Sequence, residues 1–186
     1  MTVLAIDTSS RSRVVCVLAS PDGDLLDAEV VRGEAVSASL PRVLGRLLAR
    51  TEHAVVVVTG PGTYTGVRAG MAAALGIAHA RGLPLHGVGS LEVIASAGPQ
   101  AASDDWVVTD AGRGALYVAR AADAQYPARV ALESFDAAGA RVFSSDVIAI
   151  NGLIGVDPAQ ALARAVPRAL SRPALDPSGL TALYVD

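Results

Sequence analysis

The chain has 186 residues, of which 52% are hydrophobic, so it can bury the core of one compact unit or of two small lobes. Its formal net charge is −3, lysine is absent and no long basic run occurs, which argues against direct high-affinity binding of nucleic acid by this chain alone. No apolar run reaches the ~18 residues of a membrane helix, and the N-terminus has no basic leader, so the sequence predicts a cytoplasmic protein without a membrane contact.

The N-terminal segment predicts an antiparallel meander of three strands. Residues 3–10 form an apolar strand that ends in a small polar loop, and residues 13–18 and 25–31 form two further strands. Pro21 and Gly23 predict the turn between the last two, because proline presets one φ and glycine accepts a positive one. The single cysteine, Cys16, lies in the second strand pattern and is predicted to be a buried structural thiol.

A helix is predicted over residues 36–50, followed by a short β-branched strand at residues 54–58. Pro41 is tolerated if this helix begins near Ser37 or Ser39. One apolar stripe runs along the helix at the spacing of an amphipathic helix. The stripe consists of Val36, Leu40, Val43, Leu44, Leu47 and Leu48.

Residues 59–71 form a glycine-rich loop between that strand and a second helix over residues 67–80. Gly60, Gly62 and Gly66 let the backbone turn tightly and approach a neighbour closely, while Thr63 or Thr65 can cap the helix. The loop either holds a phosphate at a helix N-terminus or makes a tight corner for close packing. It lacks the lysine of a Walker loop, and its third glycine comes one residue late for a dinucleotide fingerprint. These departures favour a structural loop.

The second helix is apolar on two faces and therefore needs two partners. The sheet is one of them, and the first helix, a second chain or both supply the other. One face carries Gly66, Gly70, Ala73 and Ile77, and the other carries Val67, Met71, Ala74, Leu75 and Ala78.

The second half of the chain predicts a smaller lobe. A strand is predicted at residues 83–88 and a short helix at 90–95. The next segment, residues 97–105, is rich in small residues and predicts a hinge. The hinge divides the chain into lobes of residues 1–98 and 99–186. Residues 106–118 repeat the strand, aspartate, loop and strand plan of residues 3–17, with Asp110 corresponding to Asp7, which indicates an internal duplication. A strand at 146–150, a turn at Asn151-Gly152 and an amphipathic helix at 158–170 follow, and residues 181–185 form a last strand or a docked tail.

The usual ingredients of catalysis are scarce. Asp7, Thr8 and Ser9 could bind a phosphate or a hydrated metal, or could form a plain polar loop with a capping aspartate. The three histidines lack the spacing of a helical metal pair, and no nucleophile elbow occurs. The sequence therefore predicts no metal site and no catalytic residue.

Four stretches together resemble the TsaB (YeaZ) family over roughly residues 1–120. The long glycine motif carries the most specific part of the likeness. The stretches are Ala5-Ile-Asp-Thr-Ser-Ser10, Gly60-Pro-Gly-Thr-Tyr-Thr-Gly-Val-Arg-Ala-Gly70, Gly87-Val-Gly-Ser-Leu91 and Asp110-Ala-Gly-Arg-Gly-Ala-Leu-Tyr117. The resemblance implies an α/β, actin-like ATPase fold of the ribonuclease-H-like type, with mixed sheets in two lobes, and a role in making threonylcarbamoyladenosine in tRNA.

The resemblance also implies that the chain is an accessory subunit and not the enzyme. In that family the TsaB chain pairs with the paralogue TsaD, which carries metal and nucleotide. A small ATPase named TsaE joins the pair, and the TsaB chain contacts tRNA only indirectly, through the complex. It implies no cofactor for this chain, with any nucleotide confined to the interface with partners. A homodimer would use the same surface as the heterodimer.

The two N-lobe helices are the interface that the resemblance implies, and the loop at Asp7, Thr8 and Ser9 becomes a vestigial phosphate loop. A large charged residue at Gly70 or Ala73 is expected to abolish pairing and leave the fold intact. The alternative is an active actin-like ATPase or phosphotransferase that uses Asp7 and Asp110 on opposite lips of a cleft. The interface residues are Leu40, Val43, Leu47, Gly66, Val67, Gly70, Met71, Ala73 and Ala74.

Overall fold

The computed structural model describes residues 1–97, 102–176 and 181–185 of the chain. The first sheet contains β1 (Val3–Asp7), β2 (Arg13–Ala19), β3 (Leu25–Arg32), β4 (Ala54–Val58) and β5 (Leu85–Val88). The second sheet contains β6 (Trp106–Gly112), β7 (Ala115–Arg120), β8 (Ala128–Ala131), β9 (Val142–Ser144) and β10 (Leu153–Gly155). The helices are α1 (Val36–Leu47), α2 (Tyr64–Arg81), α3 (Ser90–Ser96) and α4 (Pro158–Leu170).

The two sheets share one topology, which confirms the predicted internal duplication. The first has the strand order β3-β2-β1-β4-β5 and the second has the order β8-β7-β6-β9-β10. In both, three antiparallel strands are followed by two that pair in parallel. Asp7 ends β1 and Asp110 lies near the end of β6, so the two aspartates occupy corresponding positions in the repeats. The predicted α/β class with mixed sheets is confirmed.

Helices cover both faces of the first sheet. The strands β1 and β4 are buried along their whole length, as continuous apolar runs predict. One face packs against α4, whose Leu162 and Val166 are fully buried, and the other packs against α1 and α2. Helix α4 thus lies in the second half of the sequence but packs against the first sheet. The predicted boundary between residues 98 and 99 falls outside the described residues.

The predicted N-terminal cap of α2 forms, and α1 begins where its predicted range begins. The Thr63 side chain accepts a hydrogen bond from the Gly66 N–H at 3.2 Å, and Gly82 ends α2 with φ 62°. Helix α1 begins at Val36, as the predicted range has it, and Pro41 lies inside the helix and not in its first turn.

The second sheet differs from expectation at residues 146–150. No strand forms there; the pairing segments are β9 before it and β10 after it. Ile148 and Ile150 instead pack against the outer face of the second sheet. Their apolar pattern therefore reflects packing onto the sheet and not pairing within it.

The C-terminal segment docks against the first half of the chain and forms no strand over residues 181–185. The Leu183 N–H donates to the Thr59 carbonyl at 2.7 Å, and the Arg68 Nε donates to the Tyr184 hydroxyl at 2.8 Å. Within the three described ranges, no helix is both long and apolar enough to cross a membrane.

Candidate functional site: the α1/α2 face and the junction of the sheets

The glycine-rich loop packs against the loop that follows β1. A Cβ added to Gly62 would lie 2.5 Å from the Ser9 carbonyl oxygen, and Cβ atoms at Gly66 and Gly70 would overlap Thr8. The Thr63 N–H donates to the Ser9 carbonyl at 2.9 Å, and the Thr8 hydroxyl donates to the Gly66 carbonyl at 2.7 Å. The small residues therefore allow a close contact inside this chain.

Most of the predicted interface residues point into the core of their own chain. The side chains of Leu40, Val43 and Leu47 on α1, and of Val67, Met71 and Ala74 on α2, are buried against the first sheet. Gly66 and Gly70 both face Thr8, so the expectation that Gly70 can be replaced without harm to the fold is wrong. Among the nine predicted interface residues, Ala73 is half-buried and lines an open groove on the outer side of the helices.

An open apolar groove lies on the outer side of the same two helices. It has a volume of about 290 Å³, and Ala72 and Gly76 on α2 are exposed along it. The Arg81 guanidinium donates to the Leu48 carbonyl at 2.8 Å across one end. The lining residues are Leu44, Leu48, Ala72, Ala73, Gly76, Ile77, Ala80 and Arg81. Sequence periodicity located the two helices, and the resemblance implied an interface on them. Most of the residues named for that interface lie on the inward faces of the helices.

The predicted phosphate loop has its polar groups satisfied within the chain. The N–H and the hydroxyl of Ser9 both donate to one oxygen of Asp7, at 2.9 and 2.6 Å. The Thr8 hydroxyl donates to the Gly66 carbonyl. Gly60, in the neighbouring glycine loop, lies so close to the C-terminal segment that an added Cβ would be 2.7 Å from the Leu183 carbonyl oxygen. Asp7, Thr8 and Ser9 thus stabilise the packing of β1 against the glycine loop.

A buried polar cluster joins the two sheets beside Asp7. Arg13 on β2 forms an ion pair with Asp146, which follows β9, and its other terminal nitrogen lies 3.9 Å from the second oxygen of Asp7. The side chains of Arg13, Asp7 and Asp146 are only 4%, 7% and 5% exposed. Arg13 also donates to the Ser145 carbonyl and hydroxyl, at 3.0 and 2.7 Å.

Asp146 accepts hydrogen bonds from both halves of the molecule. Burial alone would raise the pKa of Asp146. The positive charge of Arg13 and three hydrogen bonds have the opposite effect and together hold this pKa below its ordinary value. The three donors are the Thr109 hydroxyl, the Asp110 N–H and the Ser10 hydroxyl. The Ser10 hydroxyl donates at 2.9 Å and the Asp110 N–H at 3.1 Å. Sequence analysis missed this cluster; the available signal was a charged residue, Arg13, at the head of an otherwise apolar strand.

The carboxylate of Asp110 lies outside the buried cluster, although the Asp110 N–H donates to Asp146. The Asp110 carboxylate accepts from the Gly112 N–H at 2.7 Å and lies 3.9 Å from Arg11, with both side chains about half exposed. The Arg11 guanidinium lies across Gly112, and Arg113 at the hairpin tip has φ 56°. The structure therefore brings Asp7 and Asp146 together around Arg13 and leaves Asp110 at the surface.

Two further expectations concern metal ligands and the single cysteine. Across the described ranges, no cluster of three or more histidine, cysteine or acidic residues could hold a metal ion. Cys16 is buried as predicted, and burial raises the pKa of its thiol.

Comparison with known proteins identifies relatives over most of the chain. A family model described as TsaD, tRNA N6-adenosine threonylcarbamoyltransferase, matches residues 39–170. An uncharacterised protein of Mycobacterium bovis is 37% identical over 169 residues, which cover 87% of this chain and 70% of that protein. The tRNA threonylcarbamoyladenosine biosynthesis protein TsaB of Bacillus subtilis is 33% identical over 126 residues, or 63% of this chain and 53% of that protein.

Among solved structures, YeaZ from Pseudomonas aeruginosa superposes with a TM-score of 0.66. It is 22% identical in sequence, and the match covers 99% of both chains. The architecture described above is therefore the actin-like fold of YeaZ, with both sheets in place.

Proposed function

The chain belongs to the TsaB (YeaZ) family, and on that premise we propose that it acts in the biosynthesis of threonylcarbamoyladenosine in tRNA as a non-catalytic subunit that pairs with TsaD. The role in this biosynthesis is supported by the family match and by the Bacillus subtilis relative. The division of labour within the complex is supported by two features of this chain, the α1/α2 groove and the filled junction of the sheets.

The α1/α2 groove carries the pairing proposal. Its α2 side presents Ala72, Ala73, Gly76 and Ala80, side chains small enough for a partner helix to approach closely. Exposed apolar surface of this kind is stabilised by covering it. A helix laid along the groove would bury it against both α1 and α2.

The junction of the sheets supports the non-catalytic part. An ATPase that used Asp7 would need its carboxylate open to a metal or a nucleotide, whereas here the Arg13 guanidinium lies between the carboxylates of Asp7 and Asp146. A buried cation at that place repels a metal ion and leaves neither carboxylate free to orient one. The chemistry of threonylcarbamoyl transfer would then reside in TsaD.

Replacing Gly76 with arginine is expected to weaken pairing with TsaD of the same genome by about 100-fold, as for a charged residue forced into a buried interface. The groove is the reason: Gly76 is exposed along it, and an added Cβ meets no atom within 4 Å, so the fold of the single chain is preserved. Isothermal titration of purified TsaD into each variant measures the change.

Gly45→Arg is the matched control. Gly45 lies on α1, is exposed and has no atom within 4 Å of an added Cβ, but it does not line the groove. This variant should bind TsaD like the unmodified chain. Equal affinities for all three proteins would refute the groove as the docking surface.

The proposal extends to a homodimer, to TsaE and to tRNA. A homodimer through the α1/α2 groove would exclude TsaD, so the Gly76→Arg variant should also sediment as a monomer at concentrations where the unmodified chain self-associates. TsaE would join the pair once it has formed. With a net charge of −3, the chain would reach tRNA through its partners and not by direct contact.

The alternative function, an ATPase or phosphotransferase with its own nucleotide site, makes a separate prediction. It requires Asp7 and Asp110 to act together, but Asp7 is occupied by Ser9 and Arg13 and Asp110 lies at the surface. We therefore expect no heat of binding when the isolated chain is titrated with millimolar ATP and magnesium. Saturable magnesium-dependent binding would favour the alternative.

A further inference from the structure

The junction of the two sheets has the make-up of a cation site. The Arg13 guanidinium lies against carboxylate oxygens of Asp7 and Asp146, and its other neighbours are the carbonyl and hydroxyl of Ser145 and the hydroxyl of Ser10. Every neighbour that it contacts through its terminal nitrogens is therefore an oxygen. Carboxylate, carbonyl and hydroxyl oxygens are the ligands that hard divalent cations prefer.

Arg13 fills this site without matching it fully. Its side chain is 4% exposed, yet its Nε–H has no acceptor among the described residues. Buried donors are normally paired, and a site built for arginine satisfies its planar fork of five N–H groups. The surrounding oxygens therefore meet both terminal nitrogens of the guanidinium and leave its Nε–H unmatched.

The charge balance gives the same indication. Two carboxylates, Asp7 and Asp146, face one guanidinium, so the buried cluster keeps an excess of negative charge. Without Arg13, two carboxylates would face each other in a region of low dielectric constant, which is strongly unfavourable unless a cation enters or one carboxylate takes up a proton. The site also spans the molecule, because Arg13 and Asp7 belong to the first sheet while Asp146 and Ser145 follow β9 of the second.

We propose that this junction is a divalent-cation site whose resident cation is the guanidinium of Arg13, and that removing this side chain opens the site to Mg²⁺ or Mn²⁺. With Arg13 in place, the two sheets are held together by a cation that the chain itself supplies, so no ligand is needed to close them. The inference concerns the cleft of the isolated chain and does not depend on pairing with TsaD.

Mn²⁺ binding to full-length variants, measured by electron paramagnetic resonance of the free ion, tests the proposal. The unmodified chain is expected to bind no Mn²⁺ at about 1 mM, a concentration on the order of that which saturates exposed two-carboxylate sites. Arg13→Ala should bind about one ion per chain under the same conditions. Mn²⁺ should also raise the melting temperature of Arg13→Ala and leave that of the unmodified chain unchanged.

Two further variants keep the test decisive. Arg13→Gln removes the charge with a smaller loss of volume and serves if Arg13→Ala does not fold; it too should gain Mn²⁺ binding. Adding Asp146→Asn to either variant should abolish the gain. The proposal is overturned if both Arg13 variants bind no Mn²⁺, if they stay unfolded with Mn²⁺ present, if the added Asp146→Asn leaves binding intact, or if the unmodified chain binds the ion equally well.

Discussion

Replacing Gly66 with alanine is expected to lower the free energy of unfolding by about 3 kcal/mol, the upper part of the range for overpacked sites. The added Cβ would overlap the Thr8 carbonyl and the Thr63 hydroxyl, which caps α2. Both neighbours are held in place, since Thr8 is buried and its hydroxyl is bonded to the Gly66 carbonyl. Urea unfolding followed by circular dichroism measures the loss, which corresponds to a fall in melting temperature of roughly 6–12 °C for a chain of this size.

Gly76→Ala is the matched control on the same helix. Gly76 also lies within α2, but an added Cβ there meets nothing within 4 Å. Alanine should therefore stabilise the chain by up to about 1 kcal/mol, through helix propensity alone. Similar losses at Gly66 and Gly76 would mean that the contact with Thr8 does not set the requirement for glycine.

The glycine motif shows what a sequence pattern can and cannot give. The absence of lysine and the spacing of the glycines depart from the Walker and dinucleotide motifs. The close packing that the small residues predicted is confirmed. The pattern could not say what packs there. Helical periodicity places Gly66 and Gly70 on one face, but only the three-dimensional contact shows that Thr8, distant in sequence, packs against it.

The first sheet was largely predictable and the second was not. Continuous apolar runs such as Ala54–Val58 identify buried strands directly. β8 (Ala128–Ala131) was missed because most of it is exposed and its sequence carries no apolar alternation, and residues 146–150 were misassigned because Ile148 and Ile150 are apolar for packing reasons. Strand pairing depends on distant partners, which local sequence does not contain.

The polar cluster at the junction was beyond local patterns for the same reason. Arg13 and Asp146 are 133 residues apart, and each has an ordinary local interpretation, as the first residue of a strand and as a polar loop residue. The duplication pointed to the corresponding aspartates Asp7 and Asp110. The structure pairs Asp7 instead with an acid that the repeat does not predict.

Replacing Asp146 with asparagine is expected to lower the free energy of unfolding at pH 7 by about 3–5 kcal/mol, the cost of leaving a buried charge without its partner. Asparagine keeps the size of the side chain but leaves the buried guanidinium of Arg13 without its closest counter-charge. Asp110→Asn is the control, because that carboxylate is about half exposed and 3.9 Å from Arg11, and its amide oxygen can still accept from Gly112. An exposed pair of this kind contributes about 0–1 kcal/mol.

The pH dependence separates the charge of Asp146 from its shape. Because the native-state pKa of Asp146 lies below its ordinary value of 3.8, its charge stabilises the fold fully above that value, and the stabilisation is lost as pH falls through the native pKa. The difference in unfolding free energy between the unmodified chain and Asp146→Asn should therefore be constant from pH 7 to pH 5 and shrink below about pH 4. Urea unfolding at pH 7, 5, 4 and 3 measures this. A difference that stays constant down to pH 3 would show that asparagine disturbs the packing at the junction and that the ion pair with Arg13 contributes little.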